Sequence, residues 1–474
     1  MLSDEIIHQI LRTFRLSPTT DQQRAVETFA HFLLDRDSRS VMILRGSAGT
    51  GKTALASAMV RTMRQMGQRV VLLAPTGRAA MVFSLHAGMP ASTIHRRIYR
   101  EQAFAGPDGM FSLNANLTSD TLFIVDEASM IANYGSHGSA FGSGRLLDDL
   151  VRFVYGGHAC RLMLIGDRAQ LPPVGEQESP ALSDDVLEGM GLAPCSCDLD
   201  EVLRQGNESG ILANATTVRQ LIERDTASML PRISVKGFAD VAIVSGDELI
   251  DTLASSYSEV GEDETMVITR SNKRANIYNQ GIRRTVLDRE DELSTGDIVT
   301  IVRNKYLDGE QQKTMPMLAN GDRARIVRVR NTRQLYGFNF ADITLSMLDY
   351  GGVEIDTTAV LDTLRSDAPS LTRQQDEELF QRVAEDYADV PRKADRMKML
   401  RADDYYNALQ IKFGYAVTCH KAQGGQWAHV YIDQGYMTQE MLTPDYLHWL
   451  YTAFTRATER LYLVNWPKEQ LSEE

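Results

Sequence analysis

Short apolar runs alternate with longer stretches of helical periodicity through residues 41–168. VMILRG, RVVLLAPT, TLFIVDEAS and CRLMLIGD are continuously apolar rather than alternating, and each ends on a glycine or a polar turn. Runs of this kind, separated by helices, predict strands buried on both faces of a parallel sheet in an α/β unit. Ligands in such units gather at the carboxyl ends of the strands. The pattern changes between about 293 and 360, where Val, Ile and Thr dominate and turns fall at LDG, ANGD and DYGG, which predicts a small β-barrel. Residues 371–406 are charged with helical spacing and read as an insertion. The run at 266–272, KFGYAVTCHKAQG and ERLYLVNW restore the α/β pattern, so the barrel interrupts a second α/β unit. The division expected is a first unit over 1–195, a second over 196–292 and 407–474, and the barrel with its helical segment over 293–406. A turn signal at 106–109, flanked by Phe104 and Phe111, predicts a small hairpin inserted near 96–120. The Gly/Ser-rich stretch Tyr134 to Gly144 reads as a mobile surface loop.

Composition narrows the class. A chain of 474 residues has room for two to four domains, and 43% apolar residues are enough for packed cores. No run approaches the ~18 apolar residues of a membrane span. The opening MLSDEIIHQI carries acids and no signal-peptide core, which points to the cytoplasm. Cys195 and Cys197 form C-x-C, which lacks zinc-ribbon spacing, so the four cysteines read as reduced thiols. A net charge of −13 argues against a polycation that coats nucleic acid. It leaves open a motor, which needs only a local basic channel and must release its track each cycle.

The chemistry sits at strand ends. Gly46-Ser47-Ala48-Gly49-Thr50-Gly51-Lys52-Thr53 follows VMIL and precedes a helical segment, the context of a P-loop. Its backbone N–H groups would cradle the phosphates of ATP at a helix N-terminus. Lys52 would reach the β- and γ-phosphates, and the Thr53 hydroxyl would bind Mg²⁺. Asp126 ends TLFIV and suits Mg²⁺; Glu127 beside it suits a general base for the attacking water. Gln170, in GDRAQLPP, would read the γ-phosphate through its amide.

GSAGTGKT, APTGRAA, STIH, DEASM, GDRAQLPPVG, LDEVLRQ, AVTCHKAQGGQ and LYTAFTRATERLYL, in this order, resemble the motifs of superfamily 1 helicases. The set is similar to the RecD-like and Dda-like 5′-to-3′ branch, close to the Pif-type enzymes, and spans about 19–464. The resemblance implies two RecA-like domains with ATP between them and a Src-homology-3-like barrel. It assigns Gln22 to the adenine, and Arg204 and Arg456 to the γ-phosphate as arginine fingers. The family has an acid near the ribose where this chain has Gln426; an amide can still bond a hydroxyl there, or the residue belongs to an ordinary loop. The resemblance also places Thr76, Thr93 and His95, and in the second half Thr418, His420 and Lys421, along single-stranded DNA, where short polar and cationic groups fit phosphate oxygens. Tyr415 and Trp427 fit either base stacking or, more simply, a core. Arg96, Arg97 and Arg100 lie in the segment where the family carries a strand-separating pin, and Phe104 or Phe111 fits either a wedge or core packing. The implied protein is an ATP-dependent DNA helicase acting as a monomer on single-stranded DNA and single–double-strand junctions in repair, recombination or replication. The rivals are a translocase or ATP-switched recruitment subunit without strand separation, another P-loop class such as a nucleotide kinase, and a non-catalytic DNA-binding module.

Overall fold

The computed structural model describes residues 2–103, 110–134, 141–201, 209–224, 230–307, 311, 315, 317–438 and 441–472. The first six-stranded sheet is all parallel, in the order Ala91–Thr93, Arg69–Ala74, Thr121–Val125, Arg161–Gly166, Ser40–Gly46 and Ala193–Leu199. Two of its inner strands, Ser40–Gly46 and Thr121–Val125, are buried along their whole length. Alternate side chains feed different cores, as strand pleating requires. Met42, Leu44, Leu122, Ile124, Met163 and Ile165 face the helices that carry Phe29, Leu55 and Met59. Val41, Ile43, Phe123, Val125, Leu162 and Leu164 face those that carry Ile94, Leu150 and Phe153.

A second, five-stranded parallel sheet runs Ala416–Thr418, Thr265–Thr269, Trp427–Asp433, Ala457–Val464 and Val241–Val244. The chain therefore holds two RecA-like α/β units. Between them in sequence lies a closed barrel of Ile298–Ile301, Arg323–Leu335, Phe338–Met347, Val353–Val360 and Leu409–Phe413. The last of these strands pairs in the barrel, although the pattern placed 407 onward in the second α/β unit. The first sheet likewise extends to Leu199, past the expected 195. Both differences arise because a short apolar strand carries no mark of the sheet it joins. The helices Arg373–Glu385 and Lys393–Ala402 pack Leu379, Val383 and Leu400 against Phe338, Phe340 and Val360 on the outside of the barrel.

The barrel and second sheet share one core, in which Val267, Tyr431 and Tyr462 meet Ile298, Leu345 and Ile411. Tyr415 belongs to this junction, not to a base-stacking surface: its hydroxyl donates to Asp297 at 3.0 Å and accepts the Ile298 N–H at 3.1 Å. The buried Arg283–Asp297 pair at 2.9 Å completes the seam. The other face of the second sheet buries Ala169 and Leu171, which belong to the first unit. That insertion sets the geometry of the cleft.

Two local expectations sharpen. Tyr99–Ala103 and Met110–Leu113 form the antiparallel hairpin, while Phe104 and the turn lie outside the described residues. The Gly/Ser-rich loop is not wholly free. Phe141 stacks on Phe111 at 4.6 Å, the Gly142 N–H donates to the Phe111 carbonyl at 2.7 Å, and the Ser143 N–H donates to Asp149 at 2.9 Å. An aromatic ring within the run anchors that end of it to the base of the hairpin, and Phe111 is thereby committed to packing.

Candidate functional site

The loop 46–53 leaves the strand Ser40–Gly46 and enters the helix Lys52–Gln65. Gly49 and Gly51 adopt φ of 81° and 78°, left-handed values that glycine reaches without steric cost. A Cβ on Gly46 would stand 2.8 Å from Thr50 Oγ1 and 3.0 Å from Lys52 Cγ, so the cradle has room only for glycine there. Lys52 Nζ bends back onto the Gly46 and Ser47 carbonyls, the latter at 2.8 Å. Gln22 is buried behind the loop. Its Nε2 donates to the Thr50 carbonyl at 2.9 Å, and its Oε1 accepts the Thr19 N–H at 3.1 Å in a capping box. Each end of the amide keeps one further bonding site.

Strands Thr121–Val125 and Arg161–Gly166, which lie side by side in the sheet next to Ser40–Gly46, bring the acids and Gln170 to the same end. Glu127 takes φ 53° and ψ 38°, a left-handed conformation strained for a side-chain residue and common where function demands it. Its N–H donates to Asp126 at 2.9 Å. Burial, followed by the adjacent Glu127 charge, pushes the Asp126 carboxyl up to about 7, against the pull of Lys52. Two adjacent acids, one of them close enough to Lys52 to feel its charge, form a donor set that a divalent cation would complete. Gln170 is 6% exposed, and its Oε1 has no hydrogen-bond partner among the described residues. A buried acceptor left over is worth about 1–3 kcal/mol, so the amide is poised for a ligand.

The far wall comes from the second unit. On the helix Pro444–Phe454, the Tyr451 hydroxyl donates to Asp167 at 2.7 Å and accepts the Ala48 N–H at 2.9 Å. Thr452 Oγ1 accepts the Leu171 N–H at 2.7 Å, Gln423 Nε2 donates to the Leu171 carbonyl at 2.7 Å, and His448 Nδ1 lies 3.0 Å from the Ala169 carbonyl. Arg219, from the helix Gly210–Glu223, donates to Ser47 Oγ at 2.8 Å. On the second unit's side, none of Tyr451, Thr452, Gln423, His448 and Arg219 stands out in the sequence. His448, Tyr451, Thr452 and Thr455 recur at three- and four-residue spacing, the one signal available for that face; nothing marks Arg219 among the surface arginines.

The predicted arginines fare differently. Arg204 lies outside the described residues. Arg456 is 3% exposed and turned into its own unit, donating to the Thr452 and Gly425 carbonyls and to Thr455 Oγ1 at 3.0–3.2 Å. Gln426 is exposed, and the contact it makes is through its carbonyl to Arg78.

The remaining predicted residues collect on one side. Thr76 follows the strand Arg69–Ala74 and Thr93 ends the adjacent strand Ala91–Thr93, and each hydroxyl caps the following helix by accepting an N–H, from Ala79 at 3.2 Å and Arg96 at 3.3 Å. Thr418 holds the matching place at the end of the second sheet's edge strand, with His420 and Lys421 in the next turn. A Cβ on Gly424 would stand 3.1 Å from Thr76 Oγ1 and 3.0 Å from Ala79 Cβ, so the two edges adjoin. His95 packs against Phe141 at 5.1 Å and Tyr99 at 5.7 Å, and burial lowers its imidazole to about 4, leaving it neutral at pH 7. Burial also lowers Lys421 from its ordinary value. Trp427 is 2% exposed beneath Arg78 and Arg323, a packed position and not a free stacking platform. No helix among the described residues is long and apolar enough to cross a membrane.

Comparison with known proteins agrees with this layout. The family described as an AAA domain matches residues 17–238, and the UvrD-like helicase C-terminal domain matches 413–464. The ATP-dependent RecD2 DNA helicase of Deinococcus radiodurans is 23% identical over 482 residues, covering 97% of this chain and 53% of that protein. The ATP-dependent DNA helicase dda of Enterobacteria phage T4 is 24% identical over 305 residues, covering 63% of this chain and 65% of dda. The chain thus spans about half the length of the first of these relatives. Among solved structures, the Pif1 helicase from Bacteroides in complex with ADP-AlF3 and ssDNA is similar with a TM-score of 0.48 and 14% identity, over 97% of this chain and 95% of that one. The chain thus carries a match to the AAA domain over residues 17–238 and to the UvrD-like helicase C-terminal domain over 413–464, and the two curated relatives named above are ATP-dependent DNA helicases.

Proposed function

We propose that the chain is an ATP-hydrolysing motor that moves 5′-to-3′ on single-stranded DNA and separates strands at a single–double-strand junction. The observation that carries this reading is the burial of Ala169 and Leu171, on either side of Gln170, in the core of the second unit. The γ-phosphate-reading loop of one unit is thus a fixed part of the contact with the other. A change at the γ-phosphate then moves one edge of the strand site against its neighbour, which a simple ATP-binding domain does not need.

In this reading the loop Gly46 to Thr53 holds the phosphates, with Ser47, Ala48 and Thr50 contributing backbone, and Gln22 faces the adenine. Thr53 and Asp126 would hold Mg²⁺, which supplies charge neutralisation on the phosphates when bound. Glu127 accepts the proton of the attacking water, and Gln170 orients that water. Arg204 and Arg456 stabilise charge on the transferred phosphoryl group; Arg456 reaches it only after leaving its present carbonyl partners. Thr76, Thr93, Thr418 and Lys421 hold strand phosphates, with His95 and His420 beside them. The cleft wall formed by Tyr451, Thr452 and Gln423 opens and closes with turnover. We place the protein among cytoplasmic enzymes working as monomers, with the barrel and its helices inserted in the second unit.

Duplexes with a single-stranded tail at only one end test the proposal. Unwinding from a 5′ tail, dependent on ATP and lost in Lys52→Ala, is the expected result. Unwinding from a 3′ tail alone refutes the polarity. Strand-dependent ATP turnover without any unwinding favours the translocase reading.

A further inference from the structure

Thr76, Gly77 and Arg78 open the helix Gly77–Ala87, and each meets another unit. Thr76 adjoins Gly424 of the second unit. A Cβ on Gly77 would collide with Asp322 Oδ1 and the Tyr350 hydroxyl of the barrel. Arg78 reaches both: it pairs with Asp349 of the barrel at 3.3 Å, donates to the Gln426 carbonyl, and lies 4.6 Å above the Trp427 ring of the second unit. The Asp349 carboxylate is 1% exposed and the Arg78 side chain 14%, so these contacts are made largely out of water, where charge and π-face interactions are strongest.

The partners of Arg78 lead to Arg456. The Trp427 N–H donates to the Arg456 carbonyl at 2.9 Å, and the Arg456 guanidinium donates to the Gly425 carbonyl at 3.2 Å. One short segment, 425–427, is therefore held from one side by Arg78 and from the other by Arg456. Resting on the function proposed above, we propose that Arg78 is a positioning residue that couples strand binding at Thr76 to the placement of Arg456. A strand phosphate at Thr76 shifts the first turn of its helix, and Arg78 carries that shift into 425–427. Arg456, bonded to the same segment, changes its carbonyl partners and becomes free to turn toward the nucleotide. The carbonyl of residue 426, not its side chain, takes part, so glutamine in place of the family's acid leaves this route intact. A contiguous set of contacts is a basis for coupling, and coupling itself must be measured.

Arg78→Met keeps most of the aliphatic stem but removes the guanidinium paired with the buried Asp349, so Arg78→Met/Asp349→Asn is measured in parallel, with melting curves for both. Steady-state ATP turnover is followed with and without a single-stranded oligonucleotide, and oligonucleotide affinity by fluorescence anisotropy. Both variants are expected to keep turnover without DNA within about twofold of the parent and to bind the strand, yet to lose stimulation by about tenfold, inside the roughly 5–150-fold span usual for coupled sites. Arg78→Lys, which keeps the charge without the planar fork, should recover part of it. Parent-like stimulation in the doubly substituted protein overturns the proposal, as does turnover without DNA falling in step with stimulated turnover, which marks a merely structural prop. A parent that shows no stimulation by DNA removes the function on which the proposal rests.

Discussion

The Tyr451 hydroxyl donates to Asp167 at 2.7 Å while accepting the Ala48 N–H at 2.9 Å. One side chain of the second α/β unit thus ties together two strand-end loops of the first, one carrying Ala48 and the other Asp167. Tyr451→Phe leaves a buried carboxylate oxygen and a loop N–H without this partner, a loss of about 1–3 kcal/mol. We expect ATP turnover to fall about tenfold or more, with melting changed by only a few degrees. A stopped-rate phosphate-release assay beside a thermal melt checks this; unaltered turnover would show that the bridge has no part in the working cleft.

Glu127 and Lys52 separate hydrolysis from binding. Glu127→Gln preserves shape and hydrogen bonding but cannot accept a proton, so turnover should drop by about 10²–10⁴-fold with nucleotide still bound. Lys52→Ala should weaken nucleotide binding as well. Isothermal titration with a non-hydrolysable ATP analogue distinguishes the two, and near-parent turnover in Glu127→Gln would reassign the base.

Thr76 caps the helix Gly77–Ala87 and, in the proposed function, also holds a strand phosphate, and a pair of substitutions tests whether its hydroxyl serves both. Thr76→Ser keeps a hydroxyl that caps the helix Gly77–Ala87; Thr76→Ala loses the cap at about 1 kcal/mol. Chemical denaturation should report that loss in the alanine variant alone. Weaker oligonucleotide affinity should follow it, and full affinity in Thr76→Ala would remove Thr76 from the strand site.

His95 and Lys421 should differ in their salt dependence. The His95 imidazole, lowered to about 4 beneath Phe141 and Tyr99, carries no charge at pH 7. His95→Gln therefore leaves the salt slope of single-strand affinity unchanged, whereas Lys421→Ala reduces it by about 0.7. The folded pKa of His95 lies below its unfolded value near 6.5, so the unfolded chain binds the extra proton. Its contribution to stability is fully present above about 6.5 and is lost as pH falls from there toward 4. Denaturation midpoints from pH 7 to 4 should fall less steeply in His95→Gln.

What could be read from the chain follows from where its chemistry sits. Lys52, Asp126 and Gln170 each lie shortly after a continuous apolar run, so local pattern and chemistry point to one place, and the sheet order brings their strands side by side. Tyr451 was missed because an aromatic on an amphipathic helix reads as core, and its hydroxyl bonds appear only when two sheets are docked. Leu409–Phe413 was assigned to the wrong sheet because the helical insertion separates it from its barrel partners, and LQIKF reads the same in either setting. Phe141 was hidden in a Gly/Ser-rich run, whose composition says loop but does not say what one aromatic ring will find. Arg456 lies in a motif legible in the sequence, yet one of its carbonyl partners, Gly425, belongs to the 425–427 segment that meets Arg78 across the cleft.

Whether the chain is a strand-driven motor is decided by ATP hydrolysis measured with and without single-stranded DNA. Turnover is expected to rise about tenfold or more with an oligonucleotide long enough to cross both sheet edges, and to disappear in Lys52→Ala under either condition. Turnover indifferent to DNA, or surviving Lys52→Ala, would contradict the motor reading.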